Sequence, residues 1–207
     1  MPPVPVVPLK PWFQTLDDLG GTIDWSAIFP VQRAVELDIG CGRGLFVFTA
    51  ASATPDRNFA GIEIDYREGR RAAMRLVRRR MDNARIIGGD CRLMLTELIA
   101  PGSVAAAHVY FPDPWWKRRH HKRRLFNPEF VQLLARIVQP GGHVHHWTDV
   151  ADYFEMASAL LDADPNFVRC PTPPERTAAS DMDYQTSFER KKRKLGLPIW
   201  RGLWQRT

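Results

Sequence analysis

The stretch "FPDPWWKRRHHKRR" (111–124) sets one carboxylate, Asp113, between two prolines and ahead of two tryptophans, six Lys/Arg and two His. The prolines stiffen the backbone around the acid. A carboxylate held this way can orient a polar group or offset positive charge that develops on it. The bases that follow can hold phosphates. Trp115 and Trp116 offer flat surfaces that suit either base stacking or core packing. Arginines also crowd 67–80, and Arg190 to Lys194 are five consecutive bases. The bland alternative for each run alone is a solvated face, the lesser of the two readings. Together, with a net charge of +6, they point to a polyanionic partner.

A second constellation lies upstream. "LDIGCGRG" (37–44) is a Gly-rich turn with Gly40, Gly42 and Gly44. A dinucleotide fold requires G-x-G-x-x-G, and Leu45 stands where its third Gly belongs. No G-x-x-x-x-G-K-[ST] phosphate loop occurs either. An acid just before the first Gly, Asp38, disfavours a pyrophosphate and suits a cationic ligand. Further acids recur at the ends of apolar runs: Glu63 where an acid can grip ribose hydroxyls, Asp90 where an adenine ring would lie, then Asp113 and Asp149. Singly, each is better explained as a helix cap or a turn residue. As a series they describe the rim of one pocket.

The elements that must position them follow from periodicity. Strands are expected at 33–40, 58–65, 84–90, 103–111, 143–149, 166–170 and 197–204. Helices are expected at 44–54, 67–81, 91–99, 127–138, after Asp149, and at 186–196, with a loop over 171–184. "NPEFVQLLARIV" begins with an Asn cap and Pro at the first helical position. Strands alternating with helices predict an α/β, Rossmann-like fold: a mostly parallel seven-stranded sheet with helices on both faces and ligands at the carboxyl ends of the strands. Residues 1–30 read as a Pro-rich extended arm and 31–207 as one domain.

The order of "LDIGCGRG", "GIEID" and "GGD" resembles the class I S-adenosylmethionine-dependent methyltransferases. More narrowly, "FPDPWWKRRHHKRR", Thr148–Asp149 and "TSFERKKRKLG" resemble the bacterial tRNA (guanine-N7-)-methyltransferases, over about Val35 to the C-terminus. The resemblance implies methyl transfer to a guanine in the variable loop of tRNA. It implies a methyl-donor site on Asp38, the glycines Gly40, Gly42 and Gly44, Glu63, Asp90 and Asp113, with Asp113 the essential acid. It implies tRNA contacts by Arg119, His120, His121, Lys122, Arg123 and Arg124. It further implies acceptor contacts by Lys117, Asp149 and the T-x-x-E element of Thr186, Ser187, Phe188 and Glu189. The chain departs from the pattern at Asp38, where the family usually has Glu, and in the arm, which matches poorly.

Two alternatives stay open on the residues: a methyltransferase for another RNA or a small molecule, and a non-catalytic RNA-binding module of the same fold. The intact set Asp38, Glu63, Asp90 and Asp113 counts against the second. The three Cys suggest neither disulfides nor zinc, the six His show no ligand spacing, and no metal is expected. No membrane span or secretory signal is expected, which makes the cytoplasm the default. Monomer and homodimer are both compatible with the sequence.

Overall fold

The computed structural model describes residues 8–172 and 186–207. The elements run β1 (Phe13–Thr15), α1 (Leu16–Leu19), α2 (Trp25–Ile28), β2 (Val35–Ile39), α3 (Leu45–Ala53), β3 (Asn58–Glu63), α4 (Tyr66–Arg78), β4 (Ala84–Gly88) and α5 (Cys91–Leu93). After α5 comes a π-helical turn, Met94–Leu98, then β5 (Val104–Tyr110), a 3-10 helix (Arg118–Arg123), α6 (Pro128–Ile137), β6 (Val138–Thr148), α7 (Ala151–Ala163), β7 (Phe167–Cys170), α8 (Ser187–Lys194) and β8 (Trp200–Arg206). Most of the loop expected at 171–184 lies outside the described residues.

One sheet carries the order β1-β4-β3-β2-β5-β6-β8-β7. β1 to β6 pair in parallel, and β8 runs antiparallel to both β6 and β7. The mostly parallel sheet expected from the sequence is present, with eight strands rather than seven. The additional strand is β1, from the Pro-rich segment, whose Phe13, Gln14 and Thr15 pair with Ile86, Ile87 and Gly88. Its three residues show no readable alternation. Its place is set by Phe13, buried against α4 and β4, where a Cβ on Gly88 would come 2.8 Å from the ring.

Successive strand residues face opposite sides, so β3, β4, β5 and β6 each feed two cores. Leu37, Ile62 and Ile87 join Phe130, Leu134 and Tyr153 on one face. Phe59, Ile86 and Tyr110 join Phe46, Ala72 and Leu76 on the other. α4 is capped by the Asp65 carboxylate, which accepts from Arg67 N–H at 2.8 Å and Glu68 N–H at 3.3 Å. α6 is capped by Asn127, whose Oδ1 accepts from Phe130 N–H at 2.8 Å, with Pro128 in its first turn. β6 starts at Val138, directly after α6 and five residues before the strand expected at 143–149. Parallel registers such as Ile39↔Ile62, Glu63↔Gly88 and Tyr110↔Trp147 bring the strand ends, and the acids beyond them, to one edge.

Candidate active site

The turn after β2 needs its glycines. Gly40, Gly42 and Gly44 have φ of 80°, 52° and 62°, the left-handed region that other residues rarely adopt. Gly44 has a second constraint: a Cβ there would lie 2.7 Å from Cβ of Ala72, so α4 packs directly on the turn. Glu63 braces the arrangement. Its Oε2 accepts from Gly42 N–H at 2.7 Å and its Oε1 from Asp65 N–H at 2.9 Å. One carboxylate therefore ties the glycine turn to the start of α4.

Asp38 lies behind the turn and is only 4% exposed. Burial, helped by the neighbouring Glu63 charge, raises its pKa to about 8. The Cys41 thiol is pushed up for the same reason, with Asp38 and Glu63 adding to the effect of burial. In front of them opens a cleft of about 480 Å³. Its walls include Asp38, Gly40, Gly42, Leu45, Phe46, Tyr110 and Phe111, with Thr186, Phe188 and Lys191 contributed by α8 and its cap. An acid at the base and apolar rings at the sides suit a cationic ligand with apolar parts, as S-adenosylmethionine is. Tyr110 is held from behind: its hydroxyl lies 2.9 Å from His108 Nδ1, and His108 Nε2 lies 2.7 Å from Glu36 Oε2. Tyr110, Phe111 and Lys191 were not singled out in the sequence. The strand-end position of Tyr110, directly before "FPDPWW", was the signal available.

Asp90 is not among the wall residues of the cleft. It is exposed and caps α5, accepting from Arg92 N–H at 2.7 Å.

Asp113 is exposed on the turn that follows β5. Phe111 before it and Trp115 after it both have positive φ, 50° and 46°, a strained conformation for aromatic residues. The strain is held from outside, because neither proline can donate a backbone hydrogen bond. Phe111 N–H donates to Trp147 O at 2.7 Å. Trp115 is half-buried, with the Arg123 guanidinium 5.0 Å over its ring and the His120 ring edge-on to it. Trp116 is 70% exposed.

The basic residues divide. Lys117, Arg119, Lys122 and Arg123 are exposed, and His120 and His121 are half-buried. Arg124 departs from the expectation of a phosphate contact. Its side chain is turned into the protein, where its Nε donates to Pro114 O at 2.8 Å. Thr186 caps α8, its hydroxyl accepting from Glu189 N–H at 2.9 Å, and the buried Glu189 pairs with Arg193 Nε at 2.9 Å. The T-x-x-E element is thus a helix start as well as a candidate contact. Ser187 is the first residue of that helix. Asp149 lies 2.5 Å from the Lys192 ammonium. Among the described residues, no group of three or more His, Cys, Asp or Glu is placed to hold a metal ion, and no helix is long and apolar enough to cross a membrane.

Residues 32–202 match the family described as "Putative methyltransferase". The tRNA (guanine-N(7)-)-methyltransferase of Rhodopirellula baltica is 38% identical over 205 residues, 96% of this chain and 76% of that protein. The chain belongs to the tRNA (guanine-N7-)-methyltransferase family. Its fold is shared with more distant methyltransferases. A 30S ribosomal A1408 methyltransferase from an uncultured bacterium superposes with a TM-score of 0.59 at 14% identity, covering 88% of this chain and 92% of that one. Geranyl diphosphate C-methyltransferase from Streptomyces coelicolor, solved with S-adenosyl-L-homocysteine, gives 0.55 at 13% identity, covering 84% and 73%. For this tRNA (guanine-N7-)-methyltransferase family member, the class I methyltransferase fold is therefore established.

Proposed function

We propose that this protein transfers a methyl group from S-adenosylmethionine to N7 of a guanine in the variable loop of tRNA, with Asp113 as the active-site acid. The observation that carries this reading is a shared wall. Phe111 lines the cleft above Asp38, and Asp113 stands two residues further on the same strained turn. A ligand in the cleft and a base beside the turn would then meet across one aromatic ring.

S-adenosylmethionine, when bound, supplies the methyl group on a sulfonium. Asp38 and the glycine turn are proposed to face its cationic end, Glu63 its ribose, and Asp90 the adenine side. Glu63 uses one acceptor site on each oxygen for backbone, and a carboxylate has about four in all. Guanine N7 carries a lone pair and no proton, so no general base is required and positioning does most of the work. The guanine ring turns cationic as the methyl arrives. The Asp113 carboxylate accepts from the N–H edge of the base and offsets that charge. This chemistry calls for no metal. Lys117, Arg119, Lys122 and Arg123, all exposed beside Asp113, hold the RNA phosphates. The cytoplasm, where tRNA is found, is the proposed location.

The test is incubation with unmodified tRNA and labelled S-adenosylmethionine, followed by mapping of the labelled nucleotide. Label at N7 of a variable-loop guanine is expected. Label at another base, or none with a well-folded protein, overturns the reading.

A further inference from the structure

The last residue of the basic block is buried where Lys122 and Arg123 before it are exposed. Arg124 is 7% exposed. Its Nε donates to Pro114 O at 2.8 Å and its Nη2 to Asp152 Oδ2 at 3.1 Å, and its guanidinium lies 4.8 Å over the Tyr153 ring. Tyr153 in turn accepts, through its hydroxyl, from Leu125 N–H at 3.0 Å and Phe126 N–H at 3.3 Å. Arg124 and the chain leaving it are thus bound to α7.

We infer that Arg124 is a positioning residue, whose guanidinium holds the Asp113 turn against α7 and does not grip RNA. This rests on the proposed role of Asp113. The turn cannot hold itself. Two of its residues lack an N–H, and its two aromatic neighbours sit at positive φ. It hangs from two anchors, Phe111 N–H on Trp147 O and Pro114 O on Arg124 Nε, with Asp113 between them. A buried guanidinium with one edge on a carbonyl and the other on a carboxylate has little surface left for a phosphate. Lysine carries a compact ammonium and cannot span both acceptors in this fork.

The proposal separates charge from geometry, so the test compares Arg124→Lys and Arg124→Ala with Lys122→Ala. Three readouts are taken: the salt dependence of tRNA affinity, kcat against KM, and hydrogen exchange at the amides of Trp115, Trp116 and Lys117. Lys122→Ala is expected to flatten the slope of log affinity against log salt by roughly 0.7 to 0.9. It should raise KM and leave the exchange rates alone. Both Arg124 variants are expected to keep the parent slope, lose tenfold or more in kcat, and exchange faster at the three amides. Should Arg124→Ala fail to fold, Arg124→Lys still decides, because it keeps the charge and the stem. A slope flattened by Arg124→Ala as much as by Lys122→Ala would make the residue a phosphate contact. Parent kcat and parent exchange in Arg124→Lys would also overturn the proposal. If the wild type does not methylate tRNA, the functional reading fails separately, and the exchange experiment still reports on the anchor.

Discussion

The ring of Phe188, in the first turn of α8, stacks on that of Phe111 at the end of β5, with centroids 6.0 Å apart and 20° between the planes. Both rings line the cleft. The helix α8, with its five consecutive bases, therefore forms part of the wall of the cleft proposed above for the methyl donor. Phe188→Ala removes one wall of the cleft. An aromatic pair contributes about 0.5–1.5 kcal/mol, so the dissociation constant for S-adenosylmethionine, measured by calorimetry without tRNA, is expected to rise about two- to tenfold. An unchanged constant would place Phe188 on the acceptor side alone.

Asp113→Asn keeps the shape of the side chain and removes its charge. The residue is exposed, so the melting temperature should stay within a degree or so of the parent. Removing one group that stabilises developing charge typically costs about 10²–10³ in kcat. Near-normal turnover in this variant would end the assignment of Asp113 as the active-site acid.

Glu63→Ala takes away two charge-assisted hydrogen bonds, to Gly42 N–H and Asp65 N–H. Such bonds contribute about 1.5–3 kcal/mol each. The glycine turn should loosen and S-adenosylmethionine affinity should fall at least tenfold, while tRNA affinity at fixed salt changes little. Calorimetry and a filter-binding titration measure the two. Equal loss of both would mean that Glu63 acts on the fold as a whole.

Stability should peak near pH 6.5. His145 and His146 are buried, which depresses their pKa values to about 3 and about 4, His145 being further lowered by the nearby His108 and His143. Their contribution is complete above the ordinary histidine value of 6.5 and is lost as pH falls below it. Asp38 works in the opposite sense. Its pKa, raised from 3.8 to about 8, contributes stability that is complete below 3.8 and is lost as pH rises through about 8. Between about pH 4 and 6.5 two histidines outweigh one aspartate, and stability falls on the acid side. Between 6.5 and 8 Asp38 governs, with a slope of about 1.4 kcal/mol per pH unit. A cationic ligand beside Asp38 would favour its charged form, so S-adenosylmethionine should raise the melting temperature more at pH 8 than at pH 6. Melting curves with and without the ligand from pH 5 to 9 measure both trends. A ligand effect that shrinks towards pH 8 would separate Asp38 from the cationic end of the ligand.

The apolar runs of β2 to β6 were legible because buried parallel strands are written in consecutive apolar residues, whereas the antiparallel β7 and β8 were read from shorter, mixed stretches. Phe13–Thr15 was not legible as a strand. Its pairing depends on glycine-lined space at Gly69 and Gly88 that only the assembled sheet creates. The helix expected at 91–99 runs into a π-helical turn at Met94–Leu98, a detail of hydrogen bonding that periodicity does not resolve. For the site, residue type and strand-end position identified the acids but not their partners. Asp90 and Thr186 cap helices, and Glu63 braces a turn. Arg124 shows the limit most clearly. In the sequence it is one base among six, and only the approach of α7 turns it inward.

The edge strand β1 has a consequence for synthesis. It leaves the ribosome well before its partner β4, and the space for Phe13 is bounded by α4 and β4. Chains emerge from the N-terminus onwards, so this segment has no edge to join until β3, α4 and β4 have been made and set. Until then Phe13 and the two polar residues after it await a template. When it docks, it covers the backbone groups along β4 that could otherwise recruit a strand from another chain. The order of manufacture and the order of assembly run in opposite directions here, and a segment made before its template acts as the closing piece.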